Sequence, residues 1–192
     1  DLRSDLIRQI ILKLKNQKVP YSQVPIEKLN RITRRNHQGI ICFISPIQYQ
    51  SLDHIIESNF SAGREPLLII LDRITDVRNF GAIARTMECA GADALIIQNK
   101  GNALLGADAM KTSAGALNIL PVCREENLKN TITDLKASGI RVIACTEKTN
   151  ASIYETDLSG PIAVILGSEE NGISEEYLKL CDIYVKIPMY GK

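Results

Sequence analysis

The sequence predicts an α/β protein whose sheet is mostly parallel and covered by helices on both faces. Short apolar runs alternate with segments of helical periodicity over residues 67–187. The run at residues 67–71 has no polar position, which is typical of a strand buried on both faces of a parallel sheet. A polar turn at residues 72–80 and a helical pattern from Gly81 to Ala90 follow it, in the order strand, loop and crossover helix.

The amino-terminal part predicts a smaller α/β domain. An amphipathic helix carries its apolar positions on one face, and a second short helix begins next to Pro25. A linker of small, polar and proline residues at 59–66 places the domain boundary between residues 62 and 63. The two predicted domains are therefore residues 1–62 and 63–192. The predicted elements of the first domain are helices at 2–15, 26–32 and 52–58, an extended piece at 19–24, a basic loop at 34–38 and a strand at 39–45.

The second domain continues the alternation of strands and helices. Each apolar run is short enough for a strand, and each helical pattern is long enough to connect two parallel strands. The predicted strands are at 67–71, 94–97, 119–122, 141–145, 162–166 and 183–187, and the predicted helices are at 81–90, 106–112, 128–137 and 175–180.

The charge distribution points to an anionic partner for the amino-terminal part. The formal net charge of the 192 residues is only +1. Residues 1–65 nevertheless carry ten Lys/Arg against six Asp/Glu, whereas residues 66–192 carry thirteen against sixteen. Within the basic loop, Arg34, Arg35 and His37 could contact phosphates, or the loop could be an ordinary solvated surface.

The cysteine and histidine content argues against a disulfide framework and against a metal site. The five cysteines have no paired spacing, which indicates reduced thiols and a cytoplasmic location. Two histidines offer no plausible ligand set for zinc, so we expect no metal. No run approaches the roughly 20 apolar residues of a membrane-spanning helix, and no signal peptide is visible. Because the chain begins at Asp1, we expect that residues are missing at its start.

The first candidate constellation is Asn79, Gly81 and Arg85, after the strand at 67–71. Ligands of open α/β sheets bind at the carboxyl ends of strands, where a loop turns into the next helix. Arg85 lies six residues beyond Asn79, a rise of roughly 9 Å, but helical side chains lean back toward the amino terminus. The guanidinium of Arg85 can therefore reach the start of the helix, where Asn79 lies. Alternatively, Asn79 caps the helix and Arg85 pairs with a surface acid.

Two further constellations follow later strands. The strand at 162–166 runs into Gly167, which permits a close backbone approach to a ligand, and Glu169 comes two residues later. Alternatively, this segment is a tight turn whose acid caps the helix at Ser174. The third constellation is Ile187, Pro188 and Met189, close to the end of the chain. The sequence contains no GxGxxG motif of nicotinamide-binding sites and no GxxxxGK[ST] motif of a P-loop. It also lacks the GxSxG motif that carries the nucleophile of α/β-hydrolases.

Together these motifs resemble the SpoU/TrmH branch of the SPOUT methyltransferases, which methylate ribose 2′-hydroxyls in tRNA and ribosomal RNA. The resemblance covers nearly the whole chain. The first family motif is matched by Asn79, Gly81 and Arg85, the second by Gly167, Glu169 and Gly172, and the opening of the third by Ile187, Pro188 and Met189. Residues 111–117 (KTSAGAL) and 181–182 (CD) also look like the family, and residues 36–39 (NHQG) resemble its ribosomal-protein-like RNA-binding domain.

The resemblance implies a fold, a cofactor and an assembly. It implies a carboxyl-terminal trefoil knot, which departs from the usual rule against threaded chains. It implies a homodimer whose active site is built at the subunit interface. It further implies S-adenosylmethionine as the methyl donor, enclosed by apolar loops with a few backbone hydrogen bonds. The implied donor contacts are Thr146, Leu166, Gly167, Ile187 and Met189.

The resemblance also implies roles for individual residues. Arg85 would bind the phosphate of the target nucleotide and help activate the ribose hydroxyl, Asn79 would orient Arg85 or the ribose, and Glu169 would hold the donor or substrate geometry. Arg34, Arg35 and His37 would contact RNA, with ribosomal RNA favoured over tRNA.

Two other functions are compatible with the same sequence. One is a catalytically silent RNA-binding relative of the family, and the other is an unrelated α/β nucleotide-binding enzyme. The sequence departs from the family after Met189, because it ends at Lys192 without the family's Ser-Leu-Asn segment. We therefore expect the chain as given to lack its carboxyl-terminal end and to bind the donor poorly.

Overall fold

The computed structural model describes residues 5–17, 19, 21–42, 47–103 and 105–189. Contacts divide the chain into two compact units, Asp1–Ile44 and Ser45–Lys192. This division falls earlier in the chain than the boundary that the linker composition predicts. The reason is that helix α3 (Leu52–Ser61) buries Leu52 and Ile55 in the hydrophobic core of the second unit.

The described residues of the first unit form two helices, α1 (Asp5–Asn16) and α2 (Ile26–Ile32). Both were predicted from their apolar periodicity, and neither buries a residue. Residues 33–42 are irregular, and Gln38 and Gly39 form a turn with positive φ values of 48° and 84°. The predicted strand at 39–45 is therefore absent over residues 39–42, and its remaining residues lie outside the described part of the chain.

The second unit is built on a sheet of seven strands that are all parallel to their neighbours. This confirms the α/β class and the parallel sheet that the sequence predicts. In space, the strand order is β1-β4-β3-β2-β6-β5-β7, so β6 lies between β2 and β5. The strands are β1 (Tyr49–Gln50), β2 (Leu67–Asp72), β3 (Ala94–Gln98), β4 (Val122–Glu125), β5 (Arg141–Cys145), β6 (Ile162–Gly167) and β7 (Ile183–Val185).

Helices cover both faces of this sheet. Along the central strands, successive residues enter different clusters: Leu68 and Ile70 lie on one face and Leu71 on the other. The first face is covered by α3 together with α6 and α7, and the second face by α4 and α5. Among the described helices, none combines the length and the apolarity that crossing a bilayer requires. The remaining helices are α4 (Val77–Cys89), α5 (Ala107–Thr112), α6 (Leu128–Ala137) and α7 (Glu175–Leu178).

Two predicted elements are displaced from their observed positions. Helix α4 begins at Val77, four residues before the predicted start, because Asp76 accepts a hydrogen bond from the backbone N–H of Arg78 and caps the helix. Strand β4 begins at Val122 rather than at Ile119. Ile119 follows a short 3-10 turn (Ala116–Asn118) and is 71% exposed, so its apolar character does not mark a buried strand.

Candidate active site

The loops that follow β2 and β6 form a cavity at the carboxyl edge of the sheet. These two strands are neighbours, and Asp72 is paired in register with Gly167, so both loops start at the same level. The cavity has a volume of about 550 Å³. Its position agrees with the rule that open parallel sheets bind ligands beyond the carboxyl ends of their strands. It is lined by Arg73, Ile74, Thr75, Asp76, Asn79, Gly101, Ser168, Glu169, Glu170 and Asn171.

Asn79 and Glu169 meet in this cavity. The side-chain amide Nδ2 of Asn79 donates a hydrogen bond of 3.1 Å to Oε2 of Glu169. Asp76, and not Asn79, is the N-cap of α4, so the Asn79 side chain is available for this contact. Glu169 in turn does not cap α7, whose N-cap residue is Ser174. The structure therefore brings together two of the three residues that the sequence predicts to be catalytic.

A buried carboxylate lies beneath the cavity and joins the same two loops. Asp72 is 1% exposed and accepts hydrogen bonds of 2.7 Å from both the backbone N–H and the hydroxyl of Ser174. Arg73 pairs with Asp72 and also donates to the backbone carbonyl of Gly172 at 3.2 Å. Sequence reasoning did not assign a role to Asp72, Arg73 or Ser174. The one feature of the sequence that marks this position is the abrupt change from the apolar strand to the adjacent opposite charges of Asp72 and Arg73.

Gly167 has a packing role in this structure. A Cβ atom at this position would lie 2.1 Å from the carbonyl carbon of Gly172 and 2.2 Å from the backbone nitrogen of Ile173. The turn at residues 168–172 therefore folds directly back onto the end of β6. Only glycine permits that approach, and it brings Glu169 to the rim of the sheet next to Asn79.

The five residues predicted to contact the donor lie at one edge of the sheet. Thr146 follows β5, Leu166 and Gly167 end β6, and Ile187 and Met189 follow β7. These three strands are adjacent, because Cys145 pairs with Leu166 on one side and with Val185 on the other. Thr146 is buried and donates its backbone N–H to the carbonyl of Val185 at 2.8 Å. Ile187 and Met189 are 51% and 83% exposed, so apolar side chains stand in solvent at this edge.

A surface ion pair connects the loop after β5 with the start of α7. Nζ of Lys148 lies 2.7 Å from Oε1 of Glu175. This hydrogen bond and the accompanying charge attraction lower the pKa of Glu175 and raise the pKa of Lys148. Because both groups are exposed, solvent screens the pair, and its contribution to stability is small.

Arg85 is not in the cavity that holds Asn79 and Glu169. It lies on the exposed side of α4, and it is not among the cavity-lining residues. The predicted convergence of all three residues is therefore realised for Asn79 and Glu169 but not for Arg85 within a single chain.

The predicted RNA-contacting residues lie in the irregular segment after α2. Arg34 and Arg35 are exposed, and His37 is half-buried. The backbone N–H of Gly39 donates to Nδ1 of His37, while Nε2 of His37 lies 3.0 Å from the Asn30 side-chain oxygen. Because Nδ1 is the acceptor, the ring proton belongs on Nε2, from which it can be donated to Asn30. His37 thus orders the loop that presents the arginines.

No group of histidine, cysteine, aspartate or glutamate residues in the described part of the chain has the arrangement of a metal site. The polar groups of the cavity are one guanidinium, three carboxylates, several hydroxyls and amides, and backbone atoms. Such a set of groups can bind and orient a polar substrate through hydrogen bonds and charge.

Two family models together match most of the chain. The model described as the SpoU rRNA Methylase family matches residues 66–192. The model described as RNA 2'-O ribose methyltransferase substrate binding matches residues 2–50. The first match contains both loops of the cavity, and the second contains the basic segment after α2.

Individual proteins give the same result. A Staphylococcus haemolyticus protein assigned to the TrmH family of tRNA/rRNA methyltransferases is 36% identical over 192 residues, which cover 99% of this chain and 76% of the relative. The crystal structure of the SpoU methyltransferase AviRb from Streptomyces viridochromogenes superposes with a TM-score of 0.66 at 26% identity, covering 76% of this chain and 56% of AviRb. AviRb in complex with AdoMet gives a TM-score of 0.60 at 28% identity, covering 67% and 51%. The chain thus spans just over half the length of these solved structures.

Proposed function

Because this chain belongs to the SpoU/TrmH family of RNA methyltransferases, we propose that it methylates a ribose 2′-hydroxyl of structured RNA. The observation that carries the proposal is the hydrogen bond between Asn79 and Glu169. It joins the loops after two adjacent parallel strands and places both side chains on one cavity. These residues match the first and second motifs of the family, and they meet although 90 residues separate them in the sequence.

S-adenosylmethionine is the methyl donor in this proposal. AviRb, a relative with the same fold, has been solved in complex with AdoMet. When bound, this cofactor supplies an electrophilic methyl group on a sulfonium centre. The edge formed by Thr146, Leu166, Gly167, Ile187 and Met189 fits such a molecule, because it combines strand-end backbone groups with exposed apolar side chains. These apolar side chains would enclose the adenine and the methionine chain of the donor once it is bound.

The cavity residues would prepare the ribose hydroxyl for attack. A free ribose hydroxyl is a poor nucleophile, so it must be held in line with the methyl group and lose its proton at or before attack. The paired side chains of Asn79 and Glu169 would fix the ribose or the donor in that alignment. Arg85 would bind the phosphate of the target nucleotide. Its guanidinium stays protonated in proteins, so it would act mainly through its charge.

The amino-terminal domain, residues 1–62, would select the RNA. Residues 2–50 match a substrate-binding model, and the exposed Arg34 and Arg35 supply guanidinium groups for phosphate contacts. We favour ribosomal RNA over tRNA, in keeping with the description of the family model that matches residues 66–192. Recognition of structured RNA depends mainly on shape and on single-stranded loops. We propose that the reaction takes place in the cytoplasm.

A homodimer is part of the proposal, because one chain leaves Arg85 outside the cavity. Ala82 and Thr86, which flank Arg85 on α4, line an apolar groove of about 320 Å³ between α4 and the strands β2 and β6. Apolar surfaces of this kind are usually covered by a partner. A second copy that covers this side of α4 would bring Arg85 close to a partner's active site. The proposal also includes the carboxyl-terminal trefoil knot that the resemblance to the family implies.

Calorimetry with S-adenosylmethionine, followed by RNA binding, tests the proposal. The methyltransferase should take up the donor and bind ribosomal RNA. RNA binding without donor uptake would identify a catalytically silent relative. Tight binding of a nicotinamide cofactor in place of S-adenosylmethionine would favour an unrelated nucleotide-binding enzyme. Donor uptake should be measured on the full-length protein, including any residues that follow Lys192.

A further inference from the structure

Arg73 has a backbone conformation that its residue type normally avoids. Its φ is 58°, in the left-handed region that glycine tolerates and that other residues rarely adopt. Two other described non-glycine residues, Gln38 and Ala114, share this property, but only Arg73 of the three lines the cavity. Unfavourable backbone geometry persists where surrounding contacts enforce it, and it often occurs at functional sites.

The contacts of Arg73 explain why this conformation is retained. Nε and Nη2 of Arg73 lie 3.0 Å and 3.2 Å from the two carboxylate oxygens of Asp72, so the two side chains form a bidentate ion pair. The same Nη2 donates to the backbone carbonyl of Gly172, 99 residues further along the chain. Asp72 is buried, and its remaining acceptor capacity is used by Ser174. The carboxylate thus fixes the guanidinium in one orientation.

The turn at residues 168–172 is consequently held at both ends. Asn79 binds Glu169 near the beginning of the turn, and Arg73 binds the carbonyl of Gly172 at its end. Within the turn, the backbone N–H of Gly172 donates to the carbonyl of Ser168 at 2.8 Å. Without the Gly172 contact, the turn would be tied to the β2 loop through Asn79 and through the bonds of Ser174 just beyond it.

We propose that Arg73 is a positioning residue that fixes the turn at residues 168–172, and thereby sets the place of Glu169 against Asn79. The effect on catalysis rests on the proposed function, whereas the effect on the turn does not. Arg73 acts through Gly172 and Asp72, and its partly exposed guanidinium also keeps a positive charge beside the cavity carboxylates of Asp76, Glu169 and Glu170.

The test compares Arg73→Gly with Arg73→Lys in the full-length protein. Arg73→Gly removes the guanidinium and leaves a residue that accepts a positive φ without strain. Loss of the Gly172 bond should therefore accelerate hydrogen exchange of residues 168–172 by about tenfold, whereas exchange in the rest of the second unit should change less. The melting temperature should fall by a few degrees, because the buried carboxylate of Asp72 loses its cation. Turnover should fall by about tenfold, with the KM for S-adenosylmethionine within about threefold, because β6 remains held by its ladder.

Arg73→Lys is the conservative variant. An ammonium group keeps the positive charge, but it cannot form the bidentate pair with Asp72 and the hydrogen bond to the Gly172 carbonyl at the same time. Exchange of the turn and turnover should both lie between those of the wild type and of Arg73→Gly. Arg64→Gly is the matched control, because Arg64 is exposed, lies in a loop and does not line the cavity. It should leave exchange of the turn and turnover unchanged.

Each result has a separate meaning. Unchanged exchange of residues 168–172 in Arg73→Gly would overturn the positioning role, whatever happens to activity. Exchange that rises as much throughout the second unit as it does in residues 168–172 would overturn it as well, since Arg73 would then support the fold as a whole. If the wild type neither binds S-adenosylmethionine nor transfers a methyl group, the proposed function fails, and the exchange data still decide the role of Arg73.

Discussion

At the scale of single residues, the site depends on two side chains that do not cap the helices beside them. Asn79 is the third residue of α4 and is not needed as its cap, and Glu169 lies on a turn and is not needed to cap α7. The sequence predicts both residues, because each follows a buried parallel strand, where open α/β sheets bind their ligands, and because each matches a motif of the family. It does not predict Arg73, whose role depends on a contact with a backbone carbonyl 99 residues away.

Replacing Asn79 with Asp tests the pair with minimal change in shape. The new carboxylate would face the carboxylate of Glu169 at hydrogen-bonding distance, so the attraction becomes a repulsion. Methyl transfer should fall at least tenfold. The melting temperature should change little, because Asn79 is exposed and an acid near a helix amino terminus is favourable. Turnover and thermal unfolding are the measurements.

Asn130→Asp is the matched control for this substitution. Asn130 is also exposed and is also the third residue of a helix, α6, whose cap is Asn127. It lies outside the cavity. Asn130→Asp should keep wild-type activity. Equal losses of activity in the two variants would show that the effect arises from the helix terminus and not from Glu169.

At the scale of elements, the close approach of α4 and α5 explains Gly81. A Cβ atom there would lie 2.2 Å from Oγ1 and 2.7 Å from the backbone carbonyl carbon of Thr112. Gly81→Ala should therefore lower stability by roughly 1–2 kcal/mol, since overpacking outweighs the gain of about 1 kcal/mol in helix propensity. Thermal unfolding measures the change. Thr133→Gly compared with Thr133→Ala, at an exposed position inside α6 and outside both cavities, measures the propensity alone. A higher melting temperature for Gly81→Ala would refute the close contact.

The carboxyl end of β4 brings together acids from three elements. Burial, together with the negative charges of Asp53 on α3 and Asp134 on α6, raises the pKa of Glu125 above its ordinary value, against an opposing hydrogen bond from Thr131. An acid whose pKa is raised by folding favours the folded state at low pH. That contribution is lost as the pH rises through the folded-state pKa.

Glu125→Gln should therefore stabilise the protein at neutral pH. The melting temperature should rise by roughly 1–2 °C at pH 7. The difference from the wild type should disappear at about pH 3, well below the ordinary glutamate pKa, where Glu125 is protonated in both states. Glu126→Gln is the control, because Glu126 is the exposed neighbour in the sequence. An advantage of Glu125→Gln that persists unchanged at pH 3 would show that charge is not its cause.

Periodicity predicted the interior of the elements better than their ends. The observed limits of α6 and β5 coincide with the predicted ones, because apolar spacing and flanking turn residues agree there. The predicted start of α4 is too late in the sequence, because the carboxylate of Asp76 caps the helix and it begins at Val77. Strand β1 has only two residues, too few for a pattern, and its pairing with β4 comes from tertiary contacts. The order of strands in the sheet also depends on tertiary contacts, so local sequence does not predict it.

At the scale of the whole molecule, the position of Arg85 requires a second subunit if this residue serves the cavity. Arg85→Ala should abolish methylation and leave binding of S-adenosylmethionine nearly intact, because the proposed donor contacts lie at the ends of β5, β6 and β7 and not on α4. Calorimetry and methyl transfer measure the two effects separately. Arg78→Ala, at an exposed position on the same helix, should retain most of the activity. Loss of donor binding together with activity would reject the assignment of Arg85.

Mixing two inactive variants locates the subunit to which Arg85 contributes. In a heterodimer of Arg85→Ala and Asn79→Asp chains, one site would combine intact Asn79 and Glu169 from one chain with Arg85 from the other. Random mixing should then restore about a quarter of wild-type activity. No recovery in a mixture that demonstrably contains heterodimers would mean that Arg85 acts within its own chain or not at all.

The most direct test of the whole account is the chemical identity of the methylated product. The full-length protein would be incubated with ribosomal RNA and S-adenosylmethionine labelled on its methyl group, and the digested nucleosides would be identified by mass spectrometry. The account predicts label in a 2′-O-methylnucleoside, lost with Asn79→Asp and retained with Asn130→Asp. Label on a nucleobase, or transfer that Asn79→Asp leaves undiminished, would contradict it.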